Sequence, residues 1–144
     1  MLLVALGNAG LPAALPAIVE RVGDASASVR AGAASALRKQ SGPEADRALR
    51  TLSEDASPEV AEVAIRSIGE HENDPVAVAG LVADVTDGHI VQAADGSAIE
   101  VLRHHLRDTP GATAALSTIA ARHPDDLALQ ARIRALLEGT KGAS

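Results

Sequence analysis

The chain contains no cysteine, no phenylalanine, no tyrosine and no tryptophan, and only one methionine among its 144 residues. Without cysteine there are no disulfides, no thiolate metal ligands and no thiol nucleophile. Without aromatic rings there is no platform on which unpaired bases can stack, and a formal net charge of −6 opposes attraction to a phosphate backbone. Nucleic acid is therefore not expected as a partner. A core must be made from Leu, Ile, Val and abundant Ala, and a chain of this length can bury about 70% of its unfolded surface as one domain. From Met1 to Val19 no side chain is charged. No basic residue precedes that run, however, and Gly7, Asn8, Gly10, Pro12 and Pro16 interrupt it short of the roughly 20 apolar residues that a spanning helix needs. Neither a leader peptide nor a membrane span is expected.

What is present is a repeat. Asp24-Ala25-Ser26-Ala27-Ser28-Val29 recurs 31 residues later as Asp55-Ala56-Ser57-Pro58-Glu59-Val60, and in the same register Ala33 maps onto Ala64, Leu37 onto Ile68 and Leu6 onto Leu37. A fixed period of this size marks an architecture in which each unit buries its apolar face only by stacking on its neighbours. Each unit reads as two amphipathic helices. The first carries Leu11, Ala14, Leu15, Ile18, Val19 and Val22 on one stripe. Its partner follows the Asp24–Ser28 turn with Val29, Ala33, Ala36 and Leu37, with Ser28 as the expected N-cap and Gly42 as the expected stop. The next unit repeats this from Pro43 and then from Pro58, a first-turn proline.

The third unit departs from the pattern. Its outer helix starts at Pro75, but Asp87-Gly88 and Asp95-Gly96 follow, which leaves two readings: a long connection before an inner helix near Ser97, or a helix running from Ile90 through Gly96. That inner helix is expected to carry Ala98, Ile99, Leu102 and Leu106. A fourth unit follows Pro110 and then Asp126. Period-2 alternation is absent, so the fold expected is an all-α right-handed superhelix of about four helix pairs. Its units are roughly residues 1–10 (partial), 11–42, 43–72, 73–108 and 109–139. Leu2, Leu3 and Leu6 begin an apolar face with no cap and no partner helix, which suggests a piece of a longer protein and a possible self-associating end.

The sequence Asp24, Val29, Arg30, Ala33, Ala34, Leu37 resembles the short HEAT repeat of bilin-lyase-like proteins over most of the chain, most closely over 1–72. Ala5-Leu6-Gly7-Asn8-Ala9-Gly10 is also similar to a motif of the vitellogenin-type helical domain. The resemblance implies a scaffold, with no active site carried over. It also implies that Arg30 pairs with the aspartates of adjacent turns, Asp24 and Asp55, whereas Ala61 holds the equivalent position one unit on and puts the ladder in doubt beyond the first unit.

Candidate chemistry is sparse. Glu100, His104 and Asp108 fall at i, i+4 and i+8, a spacing that offers carboxylate and imidazole ligands on one helical stripe, but a solvated face with Glu100 paired to Arg103 or His104 is the reading preferred here, since a metal site normally adds a fourth ligand and a buried outer shell. His104 and His105 point about 100° apart on a helix and cannot share an ion alone. His71 reads as a cationic residue at a helix C-terminus, where the dipole favours it. His89 and His123 fall in connections. No strand-to-helix nucleophile elbow and no phosphate loop is present, so no catalytic residue, metal or cofactor is assigned.

The polar ridge of the successive inner helices remains, at Arg38, Glu62, Arg66, Glu70, Glu100, Arg103, Arg107 and Arg134. Its alternating charges suit a protein or peptide partner, with electrostatics setting specificity and encounter rate. The function expected is a non-catalytic protein-interaction scaffold. A lipid or small-ligand carrier of vitellogenin-like type, or an accessory subunit of a lyase-type enzyme, are the alternatives. The Ala-, Gly- and Arg-leaning composition suggests a bacterial source; a cytoplasmic location is expected, though not on the ground of composition.

Overall fold

The computed structural model describes residues 12–71 and 74–141. Within them the chain forms eight α-helices and no strand. They are α1 (Leu15–Glu20), α2 (Ala27–Ala36), α3 (Pro43–Ser53), α4 (Pro58–Glu70), α5 (Pro75–Thr86), α6 (Asp95–Leu102), α7 (Ala112–Arg122) and α8 (Leu127–Lys141). The Leu2, Leu3 and Leu6 end and the Ala5–Gly10 motif lie outside the described residues.

The helices form two layers. The outer layer runs α1, α3, α5, α7, and the inner layer α2, α4, α6, each helix packed on the equivalent helix of the next unit and on its own partner. The last inner position is held by α8, which packs chiefly on α7. This is an α-helical repeat solenoid. The 31-residue register produces it directly, because equivalent positions present the same apolar stripe to successive neighbours.

Local chemistry places the helix starts. Pro43, Pro58 and Pro75 each open a helix, where the missing N–H is no loss. Asp74 caps α5 by accepting from the N–H groups of Val76 and Ala77 at 3.1 and 3.2 Å. The cap of α2 is Ser26, not Ser28: Asp24 Oδ1 accepts the Ser26 N–H at 2.8 Å, and Ser26 Oγ accepts that of Val29. The Asx turn at Asp24 thus bends the chain two residues earlier than expected. Gly42 does not end α2, which tightens into a 3-10 turn over Leu37–Lys39. Instead Gly42 adopts φ 103° immediately before α3, a left-handed entry that a side chain would strain.

The disputed stretch of the third unit resolves between the two readings. A 3-10 turn over Gln92–Ala94 runs straight into α6, which starts at Asp95 and ends at Leu102. The helix then closes with i→i+3 bonds from His104 to Val101 and from His105 to Leu102. Leu106 therefore falls beyond the inner helix, half-buried against the core from a turn.

The core is aliphatic and runs the length of the described stack. Ile18, Leu37, Leu49, Ile65, Ile99, Leu102, Leu116 and Ile119 are fully buried, with Ala33, Ala34, Ala45, Ala61, Ala64, Ala98 and Ala115 between them. Each large aliphatic contributes about 1.5–3 kcal/mol when buried. The alanines and Gly69 bring the backbones together: a Cβ on Gly69 would lie 2.9 Å from Val101 Cγ2, so α4 and α6 approach more closely there than any side chain permits. No described helix is long and apolar enough to cross a membrane.

Candidate partner-binding face

Because inner helices stack at a fixed register, their solvent-facing residues form grooves. The first groove, about 420 Å³, lies between α2 and α4 and includes Ser28, Ser35, Arg38, Val63, Arg66 and Glu70. The second, about 700 Å³, lies between α4, the start of α5 and α6, with Arg66, Val78, Glu100, Val101, His104 and Asp108 on its walls. The third, about 340 Å³, lies between the turns after α6 and α8, with Arg103, Arg107, Asp108 and Leu136. Arg66 borders the first and second; His104 and Asp108 border the second and third. The three grooves thus adjoin at shared wall residues and follow one another as a segmented furrow along the inner layer.

Of the ridge residues, Arg38, Arg66 and Glu70 line the first groove, Glu100 the second, and Arg103 and Arg107 the third. Glu62, half-buried on α4, and Arg134, exposed on α8, line none of the three. Two ridge residues leave the inner helix: Arg103 is the C-cap of α6 and Arg107 lies in the turns beyond it. The early end of α6 is the reason. Several ridge groups are already engaged. Arg66 donates to the Glu62 carbonyl at 3.3 Å, and Glu100 accepts from Arg103 at 3.0 Å and from Arg132 of α8. Glu100, His104 and Asp108 share a groove wall, but they do not share a helical stripe, since α6 stops at Leu102.

Charged pairs tie the units together from behind this face. Arg30 donates to both Asp55 oxygens, at 2.8 and 3.1 Å, and to the Asp24 main-chain carbonyl at 2.8 Å. The Asp24 carboxylate is instead turned to the Ser26 N–H. The hydrogen bonds from Arg30 hold the Asp55 carboxyl below its ordinary value, against the opposing pull of burial. Ala61 is buried and its methyl side chain can pair with no aspartate, yet the ties do not stop there. Arg50 of α3 grips the fully buried Asp84 of α5 with hydrogen bonds of 2.9 and 3.1 Å. Farther on, Asp95 meets His123 Nε2 at 2.8 Å and Arg122 Nη1 at 3.3 Å. Burial pushes the Asp95 carboxyl up, partly offset by His123 and Arg122.

Two clusters escape sequence reasoning. In one, Asp46 of α3, His71 at the end of α4 and Asp74 at the start of α5 bring ligand-type atoms within 4.8 Å of one another; in the other, Glu54, Asp84 and His89 do so. His71 caps no turn of its own helix by its side chain. Its Nε2 bonds to the Leu37 carbonyl of the preceding unit at 3.1 Å. Burial first, and then the neighbouring Asp74 carboxylate, raise the Asp46 carboxyl to about 6. Residue spacing brings together only His71 with Asp74 and Asp84 with His89; Asp46 and Glu54 reach them through the packing of α3 and its end against α4 and α5.

A family model for HEAT repeats matches residues 1–69. No curated protein and no solved structure matches the chain. That match covers residues 1–69 of the 144, just under half of the chain, and the two-layered helix stack of the described residues continues beyond it to Lys141.

Proposed function

We propose that the chain is a non-catalytic scaffold that holds a protein or peptide along the furrow of its inner helices. HEAT repeats commonly serve as protein-interaction scaffolds and are generally non-enzymatic. The observation that carries the reading is the adjoining of the three grooves, which offers one extended surface lined by both signs of charge. Such a surface favours an extended or helical partner segment with alternating charges, and it sets the on-rate and the choice of partner more than the affinity. Among the residue types that dominate binding energy, only arginine is available here, so Arg66, Arg103 and Arg107 carry the assignment.

The test is capture of partners from the source lysate by the wild-type chain and by an Arg66→Glu, Arg103→Glu, Arg107→Glu variant, with retained proteins identified by mass spectrometry and the variant's helix content checked by circular dichroism. A protein held by the wild type and released by the folded variant, then shown to bind when purified, is the expected outcome. Identical capture by both forms would sink the furrow as the binding face.

A further inference from the structure

We propose that Asp46, His71 and Asp74 form a binding site for a divalent transition-metal ion, clamping the junction of the second and third units. Three elements supply the ligands: α3 gives Asp46, the C-terminus of α4 gives His71, and the N-cap of α5 gives Asp74. Their ligand-type atoms all lie within 4.8 Å of one another.

The orientation of His71 points to an ion. Its side chain is only 7% exposed. Nε2 faces the Leu37 carbonyl at 3.1 Å, an acceptor, so Nε2 carries a proton, and in the neutral ring Nδ1 then has its lone pair on the side of the carboxylates. A backbone carbonyl that fixes the imidazole tautomer in this way is the usual outer partner of a metal-bound histidine. The Nδ1 to Asp46 Oδ1 distance is 3.7 Å, too long for a hydrogen bond. It does suit two ligands on one ion, because arms of about 2.1 Å at a tetrahedral angle end about 3.4 Å apart.

The carboxylates agree with this. Asp46 Oδ1 is buried and has no hydrogen-bond partner, and Asp46 as a whole keeps 13% of its side-chain exposure. Asp74 spends Oδ1 on the α5 cap and leaves Oδ2 for a ligand. Two carboxylates side by side repel unless a proton or cation lies between them. One imidazole with two carboxylates suits borderline ions such as Zn²⁺ rather than Mg²⁺ or Ca²⁺, which take oxygen alone. The other cluster is a weaker candidate, since Arg50 already occupies the buried Asp84 carboxylate.

Titration calorimetry of the full chain with Zn²⁺ alone, beside its thermal unfolding with and without the ion, tests the site. The expected result is one ion per chain, bound more tightly than about 100 µM, with a raised Tm. Asp46→Asn preserves shape and relieves the carboxylate repulsion, so it folds; it should weaken binding at least tenfold and abolish the Tm rise, while His89→Gln, in the other cluster, leaves both unchanged. Absence of saturable heat, undiminished binding in Asp46→Asn, or loss in His89→Gln would each overturn the proposal.

Discussion

Asp55 stands at the meeting point of two units, 12% exposed and held by Arg30 and by the Ser57 N–H at 2.9 Å. Its folded carboxyl lies below the ordinary value, so the folded chain binds fewer protons there than the unfolded one. The resulting stabilisation is complete above the unfolded pKa, near 4, and is lost as pH falls through the folded one. Melting temperature followed from pH 6 down should therefore drop more steeply below about pH 4 in the wild type than in Asp55→Asn, which has no such proton to take up. Parallel curves would contradict the pairing. This tie was expected from the resemblance to the short HEAT repeat, which implies that Arg30, just after the first hexad, pairs with the aspartates that open the two hexads, Asp24 and Asp55. Arg50 with Asp84, and Asp95 with His123, were not readable: each pairs residues whose proximity depends on how helices of different units rotate against one another.

At the level of elements, period and punctuation located the helices well. Among the described residues the stripes of Leu, Ile, Val and Ala became buried or half-buried faces, and three prolines marked three starts. The ends were less legible, since short side-chain bonds decide them: the Asp24 Asx turn moved the α2 cap to Ser26, and i→i+3 bonds closed α6 at Leu102. The close approach of α4 and α6 at Gly69 and Val101 was not legible at all. Gly69→Ala gains roughly 0.5–1 kcal/mol in helix preference, but its Cβ would meet Val101 Cγ2 at 2.9 Å. Overpacking costs about 1–3 kcal/mol, so the steric penalty wins and the substitution should destabilise the chain in urea unfolding. Adding Val101→Ala should restore part of the loss, giving a double-mutant coupling that two independent sites would not show.

For the whole molecule, a stack in which each unit touches only its neighbours distributes stability unevenly. Helix α4 packs against α2, α3 and α6 and buries Val60, Ala61, Ala64, Ile65, Ser67 and Ile68. Helix α8 buries Ile133 alone and leaves Leu127 78% exposed. Amide exchange should accordingly be slowest in α4 and fastest in α8; uniform protection would mean that the stack opens as one block.

The 31-residue period, the apolar stripes, and the lack of period-2 alternation and of aromatics determine by themselves an all-α repeat with an aliphatic, alanine-rich core, because local periodicity and side-chain volume leave no other way to bury those faces. They also place most of the ridge charges on the inner side. Only the tertiary structure decided which of those charges border a shared furrow, and which side chains from separate helices converge, as Asp46, His71 and Asp74 do. Convergence depends on the rotation and offset of whole helices, which packing against neighbours sets and residue spacing does not encode.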